Sequence, residues 1–555
     1  MRIKLLSSLS VFTTVLLLQA CSNESEDLVL SEAEDEGSRP NILLIVADDL
    51  GYADLGFYGG EIPTPNIDSL ATQGMLLTDF YTSLTCGPTR SMLMSGTDNH
   101  LAGLGVQSEN GSSHPQQQNL PGYLGSLNFR VASLAELMTD AGYNSYMTGK
   151  WHLGFDVEHG PHQRGFKKSF VSMDGAAHLG PYGWFGPDHA RYREDDELVD
   201  VGEDWYTTRD YTQKMIDYIE ADRDEVKPFF AYLAYTAPHW PLQAPVDVIE
   251  NFNGWYDEGY ESIYLQRFAR MKELGHISED AEPLSMDIFS PRWDDNSDEE
   301  KALSARRMEV YAAMVSELDK YVGEMIAYLK EIGEYDNTFI MFMSDNGAES
   351  SRLDLIPRFQ EFLNTDDYDL GLDNMGSGTS YIMYGRNWAT VSETRFRRHK
   401  ATAFDGGIHV PAFVNYPPMV EGGTRNDGFG TVMDIMPTFL ALAGTVHPGT
   451  SFQGREILPI KGKSLLPLIS GETNEIHDGY TGWELNGHRA IREGDWKIVW
   501  DLAAGDDARW LLFNLANDPF EQVDLGIELP DKLDEMIALW NQYTEDSNVV
   551  YVYPE

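Results

Sequence analysis

The sequence predicts an α/β fold: a large, mostly parallel sheet sandwiched by helices, followed by a small C-terminal α+β domain with an antiparallel sheet. Three observations predict it. Four apolar runs before residue 350 stop at polar residues that a buried strand would not want, helical patterns separate those runs, and after about Gly444 the pattern changes to short strands joined by turns. A chain of 555 residues that is 42% hydrophobic can bury one large core and a smaller one.

The first 21 residues place Arg2 and Lys4 before an apolar stretch from Leu5 to Leu18 and end in Leu18-Gln19-Ala20-Cys21. This is the pattern of a secretory signal, shorter and more interrupted than a spanning helix. Its end resembles a bacterial lipobox, so the expected protein is exported, periplasmic or on the cell surface, with a lipid anchor at Cys21; an ordinary cleaved signal is the alternative. Residues 22–39 read as a polar tether, with seven acidic residues against Arg39 alone between Ser22 and Pro40. Forty basic and 89 acidic residues give a net charge of −49, most of it on the folded body. Such a surface repels nucleic acid and anionic membranes. An anionic substrate would need basic residues concentrated locally against that field. Cys86 is the one cysteine beyond the leader, which leaves it no disulfide partner in the mature chain.

The main domain is expected over 40–444. Ile42 to Val46 runs into Asp48-Asp49, Tyr143 to Met147 into Lys150 and His152, Phe229 to Leu233 toward His239, and Phe339 to Met343 into Asp345-Asn346. Helical patterns lie between them, among them Ser133 to Asp140 and Glu299 to Glu331. In open sheets of this kind ligands bind beyond the carboxyl ends of the strands, so the four polar ends should meet at one rim. Singly, each has a plainer explanation: an aspartate after a strand is often a helix N-cap, and a lone histidine is usually a packed or surface group. Their joint placement favours a site. Asp48, Asp49 and Asp345 cannot all stay ionised side by side without a compensating cation. With the amide oxygen of Asn346 they make an all-oxygen set that suits calcium or magnesium, and bidentate carboxylates favour calcium. No histidine- or cysteine-rich spacing suggests a structural zinc.

In the run Cys86-Gly87-Pro88-Thr89-Arg90, a helix is predicted from about Gly87 or Pro88 to Gly96, since proline belongs in a first turn. Cys86 then sits at a helix N-terminus, where negative charge is favoured, with Arg90 one turn on. A reactive group beside a guanidinium makes an anion site; the alternative is an inert buried thiol and a surface arginine.

The pattern Cys-x-Pro-x-Arg followed by Ser-x-x-x-Ser-Gly, from Cys86 to Gly96, resembles the signature of type I, formylglycine-dependent sulfatases of the alkaline phosphatase-like superfamily. Thr97-Asp98-Asn99-His100, Ala141-Gly142-Tyr143, Gly149-Lys150-Trp151-His152-Leu153-Gly154, Ala237-Pro238-His239-Trp240-Pro241 and Phe404-Asp405-Gly406-Gly407 also resemble that family, in its order. The likeness is to bacterial arylsulfatases and extends from Pro40 to about Asp524. It implies hydrolysis of a small-molecule or saccharide sulfate ester, and a maturation enzyme that converts Cys86 to Cα-formylglycine. It further implies one calcium ion held by Asp48, Asp49, Asp345, Asn346 and the modified Cys86. Arg90 would steady the formylglycine, Lys150 and Lys400 would hold the sulfate oxygens, His152 would assist the formylglycine hydroxyls and His239 would protonate the leaving alcohol. An aldehyde hydrate suits this chemistry: one hydroxyl attacks sulfur, with Asp345 a candidate base, and the second loses its proton as sulfate is expelled. One departure is His409, where the family often has arginine.

Lys400 closes the basic run Arg395 to Lys400, the strongest in this acidic chain, and a local reversal of field is what an anion site needs; a plain surface lysine is the alternative. His178 to Tyr192 and Arg358 to Trp388 are aromatic segments that either wall the pocket or pin loops to the body. In the C-terminal domain, 445–555, Gly487 to Trp500 and Trp510 to Asn514 read as antiparallel strands and Lys532 to Thr544 as a closing helix. The rival activity is phosphonate or phosphate ester hydrolysis in the same superfamily, and a rival of another class is a catalytically silent carbohydrate-binding lipoprotein.

Overall fold

The computed structural model describes residues 39–107, 111–173, 175, 177–183, 186–365 and 367–552; the leader, Cys21 and the acidic segment that follows lie outside the described residues. Ten strands form one mixed sheet: β1 (Asn41–Ala47), β2 (Met75–Leu77), β3 (Asn144–Lys150), β4 (Lys168–Ser172), β5 (Tyr192–Glu194), β6 (Glu197–Val199), β7 (Phe229–Ala234), β8 (Thr338–Ser344), β9 (Ala412–Asn415) and β10 (Thr424–Asn426). Their order is β10-β2-β9-β8-β1-β7-β3-β4-β5-β6. The inner strands β8, β1, β7, β3 and β4 pair in parallel. Antiparallel pairs flank them at β8–β9, β9–β2, β4–β5 and β5–β6. The parallel arrangement predicted from sequence therefore holds at the centre, and the edges make the whole sheet mixed.

The inner strands are apolar throughout because both faces are covered. Leu43 and Ile45 enter one core cluster while Ile42, Leu44 and Val46 enter the other, and β7 and β8 alternate likewise, Leu233 and Phe342 on the first side, Tyr232 and Met341 on the second. On the first face lies the 34-residue helix Asp298–Glu331, opened by a capping box between Ser297 and Glu300, with Met308, Leu318 and Val322 in the core. On the second lie α1 (Cys86–Ser95) and α2 (Leu134–Asp140), the latter capped by Ser133 and Glu136. α1 begins at Cys86 itself, one or two residues earlier than predicted, behind the extended Thr85. Gly96 ends it in the left-handed region at φ 62°.

Gly149 shows how tightly the rim is built. It pairs with Ala234 across β3 and β7 at φ 112°, and a Cβ there would lie 1.7 Å from the Ala234 carbonyl oxygen. Gly149→Ala should therefore cost roughly 3 kcal/mol or more through strain and overlap. Thermal unfolding would register it as a drop in midpoint, together with misplacement of Lys150; an unchanged midpoint would refute the assignment.

Beyond the main sheet, Ile457, Leu465, Leu468 and Ile469 still pack into the second core cluster. A separate four-stranded antiparallel sheet then forms from Tyr480–Leu485, His488–Glu493, Trp496–Trp500 and Trp510–Asn514, closed by the helix Pro530–Asp546. Buried Lys497 ties this sheet to the body, lying 2.7 Å from Glu521 and bonding to Asp405, which also accepts from the Tyr81 hydroxyl at 2.8 Å. The two aromatic segments act mainly as pins. Tyr192 and Tyr381 are core residues, Tyr384 stacks on Tyr311 at 4.5 Å, and Trp388 is fully buried and donates to Ser304. Trp184 and Phe185 lie outside the described residues.

Candidate active site

Because β1, β3, β7 and β8 run parallel in register, their carboxyl ends deliver Asp48 and Asp49, Lys150 and His152, His239, and Asp345 and Asn346 to one rim. All of these residues are buried, as are Cys86, Arg90 and Lys400. Two strand ends turn through the left-handed region, Asp49 at φ 67° and His152 at φ 58°, a conformation unusual for side chains other than glycine and common where a site is overdetermined by its surroundings.

Asp49 is the hub. Both its oxygens accept from Lys400 Nζ, at 2.7 and 2.9 Å, and Oδ1 also accepts from Asn346 Nδ2 at 2.7 Å. Cys86 Sγ lies 3.8 Å from Oδ1 and His239 Nε2 lies 3.3 Å from Oδ2. Asp48 Oδ2 accepts from Lys150 Nζ at 2.7 Å, with Arg90 3.9 Å away. Arg90 directs Nε and a terminal nitrogen to Asp345 Oδ2, at 3.0 and 2.7 Å, and its other terminal nitrogen to the Lys150 carbonyl at 2.7 Å. Asp345 Oδ1 accepts the Asp49 N–H at 3.2 Å. A small opening over this cluster is lined by Asp48, Lys150, His178, His239 and Trp240 among others.

Two groups are functional neighbours that sequence reasoning did not assign. Glu349, four residues past Asp345, lies 3.2 Å from Lys400 Nζ, and burial notwithstanding, Lys400 holds it down at about 2. His178 presents Nε2 2.8 Å from the carbonyl oxygen of His239 and so fixes that residue's backbone from behind. The aromatic segment containing His178 was the only signal for it; nothing local marked Glu349. Within the basic run, Lys400 is the residue that reaches Asp49. Arg395 lies over the Tyr52 ring at 4.7 Å, and Arg397 and Arg398 face Asp501 at 3.8 and 3.3 Å. His409 is a structural contact, 3.3 Å from Asp405 and 2.9 Å from the Thr78 carbonyl.

The electrostatics leave a charge to be filled. Burial pushes Asp49 up to about 7; Lys400 opposes the rise, while the neighbouring Asp48, Glu349 and Asp345 add to it. Burial also raises Asp345, while Asp48, despite its own burial, is held well below the usual carboxylate range by Lys150 and the cations behind it. Burial and Lys400 keep His239 well below its ordinary value, and burial with Asp345 and Asp48 pushes the Cys86 thiol well up. Among the described residues, four carboxylates thus meet three permanent cations, Arg90, Lys150 and Lys400. The oxygens Asp48 Oδ1 and Asn346 Oδ1 are buried with no hydrogen-bond partner, a costly condition that a cation would relieve. Ligand atoms of Asp48, Asp49, Cys86 and His239 all lie within 4.8 Å of one another. This buried group could therefore hold a metal ion, with Asp345 and Asn346 joined to it through their contacts with Asp49.

Comparison with known proteins finds relatives of one kind. The family model described as Sulfatase matches residues 40–445, and one described as N-sulphoglucosamine sulphohydrolase, C-terminal, matches residues 396–538. An uncharacterized sulfatase of Schizosaccharomyces pombe is 42% identical over 527 residues, covering 93% of this chain and 95% of its own. An arylsulfatase of Klebsiella aerogenes is 38% identical over 77% of this chain and 91% of its own. Among solved structures, Ps i-CgsB in complex with k-i-k-neocarrahexaose superposes with a TM-score of 0.64 at 25% identity, covering 92% of this chain and 93% of that one.

Proposed function

The chain belongs to the sulfatase family and is a sulfuric ester hydrolase, and from that premise we propose that it cleaves sulfate monoesters of aryl or saccharide alcohols through an aldehyde made from Cys86. One observation carries the reading: around the N-terminus of α1, in a chain of charge −49, buried Arg90, Lys150, His239 and Lys400 converge with an under-neutralised set of carboxylates on a single thiol. A divalent cation, calcium in preference to magnesium, would be held by Asp48, Asp49, Asp345 and Asn346 with the modified Cys86, and would supply Lewis-acid charge opposite the ester oxygens.

The remaining work falls to the chain's own groups. Lys150 and Lys400 each rest on a carboxylate that a cation would engage, so both ammonium groups become available to the oxygens of an incoming sulfate. Arg90, fixed by Asp345 and the Lys150 carbonyl, keeps the start of α1 in place. His239 is neutral in the substrate-free site; a bound anion raises its proton affinity, so that it can carry the proton that the departing alcohol takes up. His152, buried just past the end of β3, would take a proton from the residue-86 side chain. The leader and tether fit an exported enzyme anchored at Cys21.

Turnover of 4-nitrophenyl sulfate against an aryl phosphonate ester tests the activity. The expected kcat/KM ratio favours the sulfate by at least roughly tenfold, about 1.4 kcal/mol of transition-state preference. A preference for the phosphonate would overturn the substrate assignment, and no turnover of either ester by matured, metal-loaded protein would leave only a binding role.

A further inference from the structure

A second cationic feature lies beside the site and takes no part in the chemistry described above. A cleft of about 510 Å³ is lined by Arg307, Arg352 and Arg386, with Asn296, Ser304 and Ser350 among its polar walls. Its one acidic lining residue, Glu300, is occupied at the start of the long helix, where it accepts from the Ser297 N–H and hydroxyl, both at 2.8 Å. Arg352 is engaged by Asp354 at 2.7 Å. Arg307 and Arg386 have no such partner: among the described residues neither side chain makes a hydrogen bond or ion pair.

Other guanidinium groups without a carboxylate, those of Arg39, Arg193, Arg395 and Arg425, donate to backbone carbonyls instead, which Arg307 and Arg386 do not. Arg386 is exposed and would be solvated in any case, but Arg307 is half-buried on the Asp298–Glu331 helix. Burial and the like charge of Arg352 push it down to about 10, a cost that an anion in the cleft would remove. Guanidinium forks suit sulfate oxygens, which accept paired hydrogen bonds.

The cleft wall approaches the active-site loops at two places. Ser350 follows Glu349, which lies 3.2 Å from Lys400, so the cleft wall begins one residue from that ion pair. On the other side, His399 precedes Lys400, and it is depressed to about 4 by burial with Arg386 and Arg398 adding to it, which places the Arg386 charge near the same loop. An extended anionic ligand could therefore reach both places at once.

We propose that this cleft is a second anion subsite, which takes another sulfate group of the same saccharide whose ester is cleaved at Cys86, so that the substrate is a polysulfated saccharide rather than a small monosulfate. The proposal rests on the sulfatase reading above and narrows its substrate class.

The test compares Arg307→Gln/Arg386→Gln with the parent protein in two assays. The first is kcat/KM for 4-nitrophenyl sulfate, which has no second anion. The second is the Kd for k-i-k-neocarrahexaose as a polysulfated probe, measured by calorimetry with metal-loaded protein carrying Cys86→Ala so that no ester is cleaved. The expected result is aryl sulfate turnover within about twofold of the parent and a hexasaccharide Kd weakened at least tenfold, about 1.4 kcal/mol. The paired Arg→Lys variant should recover part of the loss. An unchanged hexasaccharide Kd, no binding by the parent, or a parallel fall in aryl sulfate turnover would each overturn the subsite. Should the double variant not fold, exposed Arg386→Glu alone reads the same difference, through charge reversal at a position without a structural contact. Arginine-dependent hexasaccharide binding by a protein that turned over no sulfate ester would instead retain the subsite and refute the activity.

Discussion

Cys86→Ala is expected to reduce sulfate ester turnover by roughly 10⁴-fold or more, the scale on which removal of a nucleophile acts when the remaining binding groups stay in place. The substitution removes one small buried atom at the first position of α1, while Arg90, Lys150 and Lys400 keep partners that do not include the thiol. Thermal stability should therefore change little, separating loss of chemistry from loss of fold. Cys86→Ser sharpens the point. A serine hydroxyl could attack sulfur, but the product is a sulfate ester with no second hydroxyl on the same carbon to expel it, so at most one turnover and a sulfated protein are expected. In the parent protein, mass spectrometry of the peptide containing Cys86 should show an aldehyde. The structure supplies a reason for needing one: burial and two neighbouring carboxylates disfavour the thiolate, so the encoded side chain is a poor nucleophile as it stands. A fully active protein whose Cys86 is an intact thiol would falsify this assignment.

The parts of this site that could be read from the sequence are those in which local pattern and global topology coincide. A parallel strand buried on both faces must be apolar until it ends, so Asp48 after Val46 and Asp345 after Met343 stand out as strand ends, and register then carries them to one rim. Cys86 and Arg90 were legible because a proline and a glycine delimit their helix. What the sequence could not reveal are contacts between chain-distant side chains without a periodic signature. Glu349 meets Lys400 across a loop closure, His178 supports His239 from a different segment, and Lys497 reaches Asp405 from the C-terminal sheet. The basic run pointed to Lys400 but could not say where its other charges go. Its charges are adjacent in sequence, but in a loop rather than a strand or helix each residue points its own way, and only Lys400 turns inward. In the main sheet, the apolar pattern gave no direction to the short outer strands β2, β5, β6 and β9, whose antiparallel pairs make the sheet mixed.

Removing the metal is the second change expected to act on this scale, and here pH gives the sharper measurement. With four carboxylates against three permanent cations, the metal-free site retains a proton near Asp49, which burial and its acidic neighbours push up to about 7 from 3.8. A metal requires that carboxylate ionised, so proton and metal compete: apparent affinity for calcium should fall by up to about tenfold per pH unit below pH 7 and level off above it. Stability in the metal-free protein runs the same way. An acid whose pKa is raised by folding contributes stability that is fully present below its unfolded value and is lost as pH rises through the folded one. The metal-free protein should thus lose stability between about pH 4 and pH 7, while saturating calcium restores it. Asp49→Asn should suppress that loss, because the amide is neutral throughout, yet abolish calcium binding and lower turnover by roughly 10³-fold. Calorimetric titration with calcium and thermal unfolding across this pH range measure both effects. If Asp49→Asn bound calcium as tightly as the parent protein, the ion would have to sit elsewhere; if the metal-free protein held a constant midpoint from pH 4 to 7, the proton assigned to Asp49 would not be there. The combination predicted, tighter binding and lower intrinsic stability as the same carboxylate ionises, follows from a site whose charge is completed by a cation and whose cationic side chains are thereby released to hold an anionic ester.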